Sequence, residues 1–196
     1  GPAVRDAIEG VSVEELCERH GSPLFVFSER DVEERYQRAV KAFTERYPKT
    51  RFAWSYKTNY LRGVCALFHR LGSLAEVVSE FEYDKARRLG VDGKDIIFNG
   101  PYKPTPALEK AACDGAKIHI DSFEEINDLE AVSRTLNRKL KVGIRINLDA
   151  GIYPQWSRFG FNYENGQALD AVARIKAGGR LELNGLHCHI GTFILD

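Results

Sequence analysis

FAWSYKTN, at residues 52–59, is the stretch that decides the fold. Its pattern predicts a short apolar strand over 52–56 that ends on Lys57 and runs into a polar turn. A helix is predicted next, because apolar residues recur there at helical spacing: Leu61, Val64, Cys65, Phe68 and Leu71. Lys57 would then lie at the carboxyl end of a strand, which is the end where α/β proteins place their active sites.

Lys57 has two interpretations at this position. A partly desolvated lysine has a lowered pKa, and its free amine can attack a carbonyl carbon. A lysine at a strand end is more commonly a solvated surface charge. Position alone favours the surface charge, so the choice depends on what the rest of the chain brings to the same end of the sheet.

Composition excludes several classes of protein. The 196 residues carry 28 Lys+Arg and 28 Asp+Glu, and this balance does not favour binding to nucleic acid or to an anionic membrane. No apolar run is long enough to span a membrane, and the N-terminus lacks a signal-peptide pattern. The four cysteines lack paired spacing, which indicates reduced thiols and a cytoplasmic protein.

The chain is predicted to have two parts after Gly1-Pro2, which we interpret as the remnant of a cleaved tag. Residues 3–47 read as an N-terminal helix-strand-helix segment. Ser12 begins a helix that stops at Gly21, residues 24–27 form a strand, and Ser28 caps a long helix that extends to Tyr47. Residues 48–196 form the larger part.

The larger part repeats a strand-helix unit. Strands are predicted to begin near residues 52, 74, 96 and 117, about 22 residues apart, and two more follow over 140–147 and 183–189. Serine caps at 79 and 122 and a Thr105-Pro106 start mark helices between them. Such repeats argue for a parallel sheet. Six strands would be an incomplete (β/α)8 TIM barrel, which needs eight strands and about 250 residues.

An open doubly wound sheet is also compatible with this pattern. The sequence offers no GxGxxG after the first strand to support a dinucleotide site. Polar residues cluster at the strand ends, which converge on one face of a barrel. They are Lys57, Asn59, Glu76, Ser79, Asn99, Lys103, Asp121, Ser122, Arg145, Asn147, His187, His189 and Thr192.

The segment HCHIGT at residues 187–192 leaves three alternatives open. His187 and His189 face the same side of a strand, so they could supply two ligands to zinc if a third were present. They could instead be histidines satisfied by hydrogen bonds. A third interpretation is a flat imidazole that stacks on a planar ligand, with Gly191 allowing close backbone approach and Thr192 donating to an anion.

Two arginines stand in unusual places. Arg145 lies inside an apolar strand and requires a partner, because an unpaired buried charge is too unfavourable to keep. The partner is either a carboxylate such as Glu76 or an anionic group of a cofactor or substrate. Arg158 lies in a long loop, where a solvated charge is the default interpretation.

Taken together, these segments resemble the fold-type III pyridoxal-phosphate (PLP) decarboxylases, the group of diaminopimelate, ornithine and arginine decarboxylases. The diaminopimelate branch is the most similar, because it carries a His-x-His-Ile-Gly segment. The matching segments run in order along the chain: YKTN at 56–59, EVVS at 76–79, FNGPYK at 98–103, DS at 121–122, RIN at 145–147, SRFG at 157–160 and GLHCHIGT at 185–192.

The resemblance implies a role for each residue. Lys57 would form the internal aldimine with PLP, and His189 would stack on the pyridine ring. Glu76 would occupy the acidic position near the cofactor, Arg145 would lie near the ring, and Thr192 would stand near the phosphate. Arg158 would contact the substrate from a position where the family usually has lysine, and arginine differs from lysine in shape and donor geometry.

The resemblance also implies activity and assembly. PLP is an electron sink, so the expected reaction is decarboxylation of an amino acid, with a diamino or basic amino acid as substrate. The expected form is a homodimer with shared active sites, of which this chain is an N-terminal part with little activity alone. Residues 24–27 would join a C-terminal β-domain that this sequence does not contain. An alanine-racemase-like or PLP-carrier barrel is one alternative. Another is a non-catalytic regulatory relative that keeps the barrel and binds a partner protein.

Overall fold

Residues 4–151 and 157–192 are described by the computed structural model, and the chain divides into two structural units between Phe52 and Ala53. Within the described ranges, every helix is too short or too polar to cross a membrane.

The first unit opens with a β-hairpin that the sequence did not predict. β1 (Ala7–Ile8) pairs antiparallel with β2 (Val11–Ser12) around Glu9 and Gly10. Both turn residues have positive φ, at 51° and 82°, which is the backbone twist that fits a tight two-residue hairpin. Strands of two residues show no periodicity, so only the turn could have indicated them.

Serine caps start both helices of this unit, as predicted. The Oγ atoms of Ser12 and Ser28 each accept the backbone N–H three residues further on, at 3.1 and 3.0 Å. Ser12 precedes α1 (Val13–His20), and Ser28 precedes α2 (Glu29–Thr44). α2 ends before the predicted Tyr47, because the chain already turns after Thr44.

The strand predicted over residues 24–27 is wrong. These residues form no strand, and Phe25 is 89% exposed. A strand exists only with a hydrogen-bonded neighbour, and none of the described strands pairs with this segment. Apolar composition alone therefore misled the prediction.

The second unit alternates strands and helices. In chain order its elements are β3 (Ala53–Ser55), α3 (Arg62–Arg70), β4 (Leu74–Val77), α4 (Glu80–Arg88), β5 (Ile96–Phe98), α5 (Thr105–Asp114), β6 (Lys117–Ile120), α6 (Phe123–Thr135), β7 (Leu140–Asn147), β8 (Phe161–Asn162), α7 (Gln167–Gly178) and β9 (Leu181–Cys188). A 3-10 turn over Gly93–Asp95 precedes β5.

All strands of this unit pair in parallel, which confirms the predicted sheet. β3, β4, β5, β6, β7 and β9 lie side by side in chain order. β8 adds a short seventh strand that the sequence did not predict, inside the segment read as a loop. β8 pairs with the end of β7 through Ile146 and Phe161, whereas the pairing of β6 with β7 stops at Ile144.

The core lies between the sheet and its helices. Alternate strand residues are buried against the helices, and they include Ala75, Val77, Ile96, Phe98, Ile118, Ile120, Val142 and Ile144. Burying one such aliphatic side chain stabilises the fold by roughly 1.5–3 kcal/mol. The residues between them, such as Glu76, Ile97 and His119, point to the opposite face and are only partly buried.

The predicted caps of this unit are confirmed for two helices. Ser79 and Ser122 accept backbone N–H groups at the starts of α4 and α6. α5 differs, because its N-cap is Pro104 and Thr105 is already the first helical residue. The prediction for α5 was therefore wrong by one position.

Candidate active site

Tyr56 fixes the backbone just before Lys57. Its side chain is fully buried, and its hydroxyl donates to His69 Nε2 at 2.7 Å. His69 Nδ1 must carry the proton, since it lies 2.9 Å from the carbonyl oxygen of Ser73, which can only accept. Because side chains alternate along a strand, anchoring Tyr56 beside α3 turns Ser55 and Lys57 to the opposite face.

Lys57 follows the end of β3 and is exposed. Among the described residues, no hydrogen bond or ion pair engages its ammonium group. The amine is therefore available to a ligand.

Lys57 lines a cavity of about 420 Å³. The side chains around the cavity come from six strands or from the residues just after them: Ser55, Lys57, Thr58, Glu76, Val78, Ile97, Asn99, His119, Arg145, His187 and His189. Six of the thirteen polar residues predicted to converge at the strand ends lie here, namely Lys57, Glu76, Asn99, Arg145, His187 and His189, and the other seven are outside the lining. Another cavity, of about 480 Å³, involves α3 and α4, and its lining comes from helices and from no strand end.

Glu76 is held at both carboxylate oxygens. Ser55 Oγ donates a hydrogen bond to Oε2, and Asn99 Nδ2 donates to Oε1 at 2.8 Å. Ser55 and Glu76 are register partners on neighbouring strands, which brings the two side chains together. The carboxylate is thus fixed in one orientation at the cavity wall.

Two stacked imidazoles form the floor of the cavity. The rings of His119 and His187 lie 5.3 Å apart at an angle of 16°, and His119 Nδ1 lies 2.6 Å from Asn99 Oδ1. Burial lowers the pKa of both histidines to about 4, so both rings are neutral at pH 7. His187 Nδ1 is buried and has no hydrogen-bond partner among the described residues.

Arg145 is buried, and its ion-pair partner differs from the prediction. Its Nη1 lies 3.8 Å from Asp121 Oδ1, whereas the pair suggested with Glu76 is not formed. Asp121 Oδ2 accepts the backbone N–H of Gly160 at 3.1 Å, and the guanidinium lies 5.1 Å from the ring of Phe159. Burial lowers the pKa of Arg145, and Asp121 partly offsets this effect.

His189 lines the cavity beside Lys57, whereas two other predicted residues do not. His189 Nδ1 accepts the backbone N–H of Gly191 at 3.2 Å, and burial followed by the charge of Lys57 lowers its pKa. Thr192 and Arg158 are exposed and outside the cavity lining, and Arg158 lies 5.4 Å from the ring of Phe159.

Sequence reasoning missed Ser55 and His119 as cavity residues. A signal for His119 exists, because it stands between two buried isoleucines on a strand and must therefore face the other side of the sheet. The metal interpretation of His187 and His189 lacks support, because the described residues contain no group of three or more histidines, cysteines or carboxylates arranged so that it could hold a metal ion.

The cavity combines features that suit an anionic, planar ligand with a carbonyl group. Lys57 offers an amine, Arg145 adds positive charge, and three imidazoles offer flat surfaces. The unpartnered nitrogen of His187 requires a hydrogen-bonding group from water or from a ligand. The volume lies within the usual range for cofactor sites.

Comparison with known proteins agrees with this chemistry. Residues 29–196 match the family model described as "Pyridoxal-dependent decarboxylase, pyridoxal binding domain". Diaminopimelate decarboxylase of Aquifex aeolicus is 30% identical over 199 residues, covering 96% of this chain and 46% of the relative. The same enzyme of Methanocaldococcus jannaschii is 29% identical over 202 residues, with 96% and 46% covered.

Solved structures give the same answer for the fold. The crystal structure of M. jannaschii diaminopimelate decarboxylase in complex with L-lysine has a TM-score of 0.88 and 28% identity, and it covers 97% of this chain and 47% of that chain. The predicted (β/α) barrel is confirmed. The chain spans about half the length of the curated relatives it matches.

Proposed function

This chain belongs to the pyridoxal-dependent decarboxylases, and from that premise we propose that it is the cofactor-binding half of an amino-acid decarboxylase. The cofactor is pyridoxal phosphate. When bound, it supplies an electron sink for the bond that breaks beside the substrate's amino group. One observation carries the proposal: an unengaged lysine, a fixed carboxylate and flat neutral imidazoles line one cavity at the ends of six strands.

Lys57 is proposed as the residue that attaches the cofactor covalently through Nζ. Its side chain has no competing partner among the described residues, which leaves the nitrogen lone pair accessible after loss of one proton. Lys57 Nζ would also be placed to return a proton to the substrate carbon that has lost CO2.

His189 is proposed to lie flat against the cofactor ring. Gly191 N–H donates to its Nδ1, so the ring orientation is set by the backbone. A cofactor ring held in one plane by His189 would keep the breaking bond of the substrate aligned, which is an effect of orientation.

The remaining predicted residues are proposed to set charge and position. Glu76, held by two donors, presents a fixed negative charge, and Arg145 balances the negative charges of cofactor and substrate. Thr192 is proposed to stand near the phosphate and Arg158 near the substrate. Both would have to act from the rim, because neither lines the cavity.

Diaminopimelate is the first substrate to test. The relatives that cover 96% of this chain are diaminopimelate decarboxylases, and one solved relative is a complex with L-lysine. Release of CO2 from diaminopimelate, lysine, ornithine and arginine by the intact protein would rank these substrates. Racemisation of alanine without CO2 would instead favour the racemase-like alternative, and cofactor binding without turnover of any substrate would favour the regulatory one.

Assembly and location form part of the same proposal. We expect a homodimer with shared active sites, so mixing two differently inactivated variants of the intact protein should restore part of the activity. The four described cysteines are all free, which supports a reducing compartment and hence a cytoplasmic location.

The decisive experiment is borohydride reduction of the intact protein in the presence of PLP, followed by peptide mapping. We expect a stable pyridoxyl group on Lys57 and none in the Lys57→Ala variant. The matched control is Lys85→Ala, a lysine of the cavity between α3 and α4, which should label like the unaltered protein. A label on any lysine other than Lys57 would refute the assignment.

A further inference from the structure

A line of polar side chains crosses four neighbouring strands at the cavity floor. Ser55 donates to Glu76, Asn99 donates to Glu76, and His119 contacts Asn99 at 2.6 Å. These residues belong to β3, β4, β6 and the end of β5, which lie next to one another in the sheet. Each strand therefore contributes one member to a continuous chain of hydrogen bonds.

The protons along this line have only one consistent arrangement. A carboxylate can only accept, so Asn99 must turn its Nδ2 toward Glu76 and its Oδ1 toward His119. His119 Nδ1 must then be the donor. The ring is neutral, because burial lowers its pKa to about 4, so His119 Nε2 carries the lone pair. The charge of Glu76 thus determines the tautomer of His119 through the side-chain amide of Asn99.

The other face of His119 supports His187. The two rings are stacked 5.3 Å apart, and the stack requires Gly143 on β7. A Cβ atom at Gly143 would lie 2.4 Å from His119 Cδ2, which no real contact tolerates. Gly143 is paired in register with Gly185, so neither of these two partners places a β-carbon beside the rings.

We propose that His119 is a positioning residue, which fixes the orientation of Glu76 through Asn99 and the ring plane of His187 by stacking. The inference rests on the proposed function, because Glu76 and His187 matter to catalysis only if the cofactor binds in this cavity. His119 itself need not touch the cofactor. Its effect is to reduce the number of orientations that the two cavity residues adopt.

The first test uses the protein without cofactor and therefore stands even if the proposed function fails. Nitrogen NMR of the imidazoles should show His119 protonated at Nδ1 and bare at Nε2. In Asn99→Ala the acceptor is gone, and the single tautomer should become a mixture. A proton on Nε2 in the unaltered protein, or the same single tautomer in Asn99→Ala, would overturn the proposal.

The second test measures the dissociation constant of PLP for the intact protein and its variants. His119→Leu keeps bulk but cannot donate, so PLP should bind about tenfold more weakly, the effect of one lost hydrogen bond of roughly 1.4 kcal/mol. His119→Gln can donate to Asn99, so its affinity should stay within about threefold of the original. A purely structural role would not separate these two variants.

A double variant isolates the coupling. If His119 acts through Glu76, then His119→Leu combined with Glu76→Gln should bind PLP about as weakly as Glu76→Gln alone. Fully additive losses, or equal losses in His119→Leu and His119→Gln, would refute the proposed action of His119 on Glu76. Failure of the unaltered protein to bind PLP would refute the proposed function instead, and the tautomer measurement would still decide the role of His119.

Discussion

Lys57 and Lys103 follow two strands of the same sheet, and their surroundings are opposite. Lys57 is exposed, with no ion pair among the described residues. The side chain of Lys103 is fully buried; its Nζ donates to Glu125 Oε1 at 2.7 Å and to the carbonyl of Gly100 at 2.9 Å. The comparison teaches that a lysine at a strand end serves chemistry or structure according to whether its charge is already satisfied.

The largest effect is expected from Lys57→Ala. Loss of the amine that is proposed to attach the cofactor should reduce decarboxylation by the intact protein at least about 1,000-fold. The stability should change by less than about 0.5 kcal/mol, because the side chain removed is exposed and has no hydrogen bond or ion pair among the described residues. Activity assays measure the loss of decarboxylation, and urea unfolding measures the change in stability. An active Lys57→Ala enzyme would show that the reaction does not need Lys57, and the contrast with Lys103 would then fail.

The opposite pattern is expected from Lys103→Met. Removing one partner leaves Glu125 buried without its cation, which should lower the free energy of unfolding by about 3–5 kcal/mol. The matched control is Lys103→Met with Glu125→Leu, which removes both charges and should recover most of the loss. Urea unfolding of the three proteins decides this, and a double variant as unstable as Lys103→Met would argue against a satisfied ion pair.

Acid should weaken the protein through the cavity histidines. Burial lowers the pKa of His119 and His187 to about 4 in the folded state, whereas an unfolded histidine titrates near 6.5. The stability they contribute is complete above about pH 6.5 and falls as the pH drops toward 4. We expect a loss of about 2 kcal/mol over that window after allowance for partial exposure.

The control for this pH effect is His119→Leu. With one of the two titrating rings removed, the slope of unfolding free energy against pH should be smaller between pH 6.5 and 4, whatever the absolute stability of the variant. Unfolding curves at several pH values measure both slopes. Identical slopes would show that His119 is not a buried neutral imidazole.

The smallest effect concerns the residue behind Lys57. Tyr56→Phe removes the hydroxyl that donates to His69 and leaves a partly buried nitrogen without this partner, which should lower stability by about 1–2 kcal/mol. PLP labelling of Lys57 should persist, because the phenyl ring of the variant would still occupy the same buried position. Loss of labelling in a folded Tyr56→Phe variant would mean that the hydroxyl, and not the burial of the ring, orients Lys57.

Sequence patterns predicted the repeating part of the fold because local physics sets it. Serine caps and apolar spacing located α4 and α6, and regular strand spacing indicated the parallel sheet. The β1–β2 hairpin and β8 were missed, because two-residue strands carry no period. The strand predicted over 24–27 failed for the converse reason: its apolar pattern is present, and no described strand pairs with it.

The site was predictable where a residue's own strand determines its direction. Lys57, Glu76, Arg145 and His189 line one cavity, as the strand-end pattern suggested, and their chemical roles stay predictions. The prediction of Glu76 as the ion-pair partner of Arg145 was wrong, because the choice of partner depends on which strands are neighbours in the sheet. Asp121 follows β6, the direct neighbour of β7, whereas Glu76 lies on β4, three strands away from β7.

The order of strands in the sheet has a consequence for how the cavity forms during synthesis. Every strand from β3 to β7 pairs with the next one in the chain, so each pairing closes a loop of similar, modest length and a similar entropy loss. A chain that emerges N-terminus first can therefore add one strand at a time. Ser55 therefore meets Glu76 early, whereas His187 joins the cavity only when β9 pairs with β7.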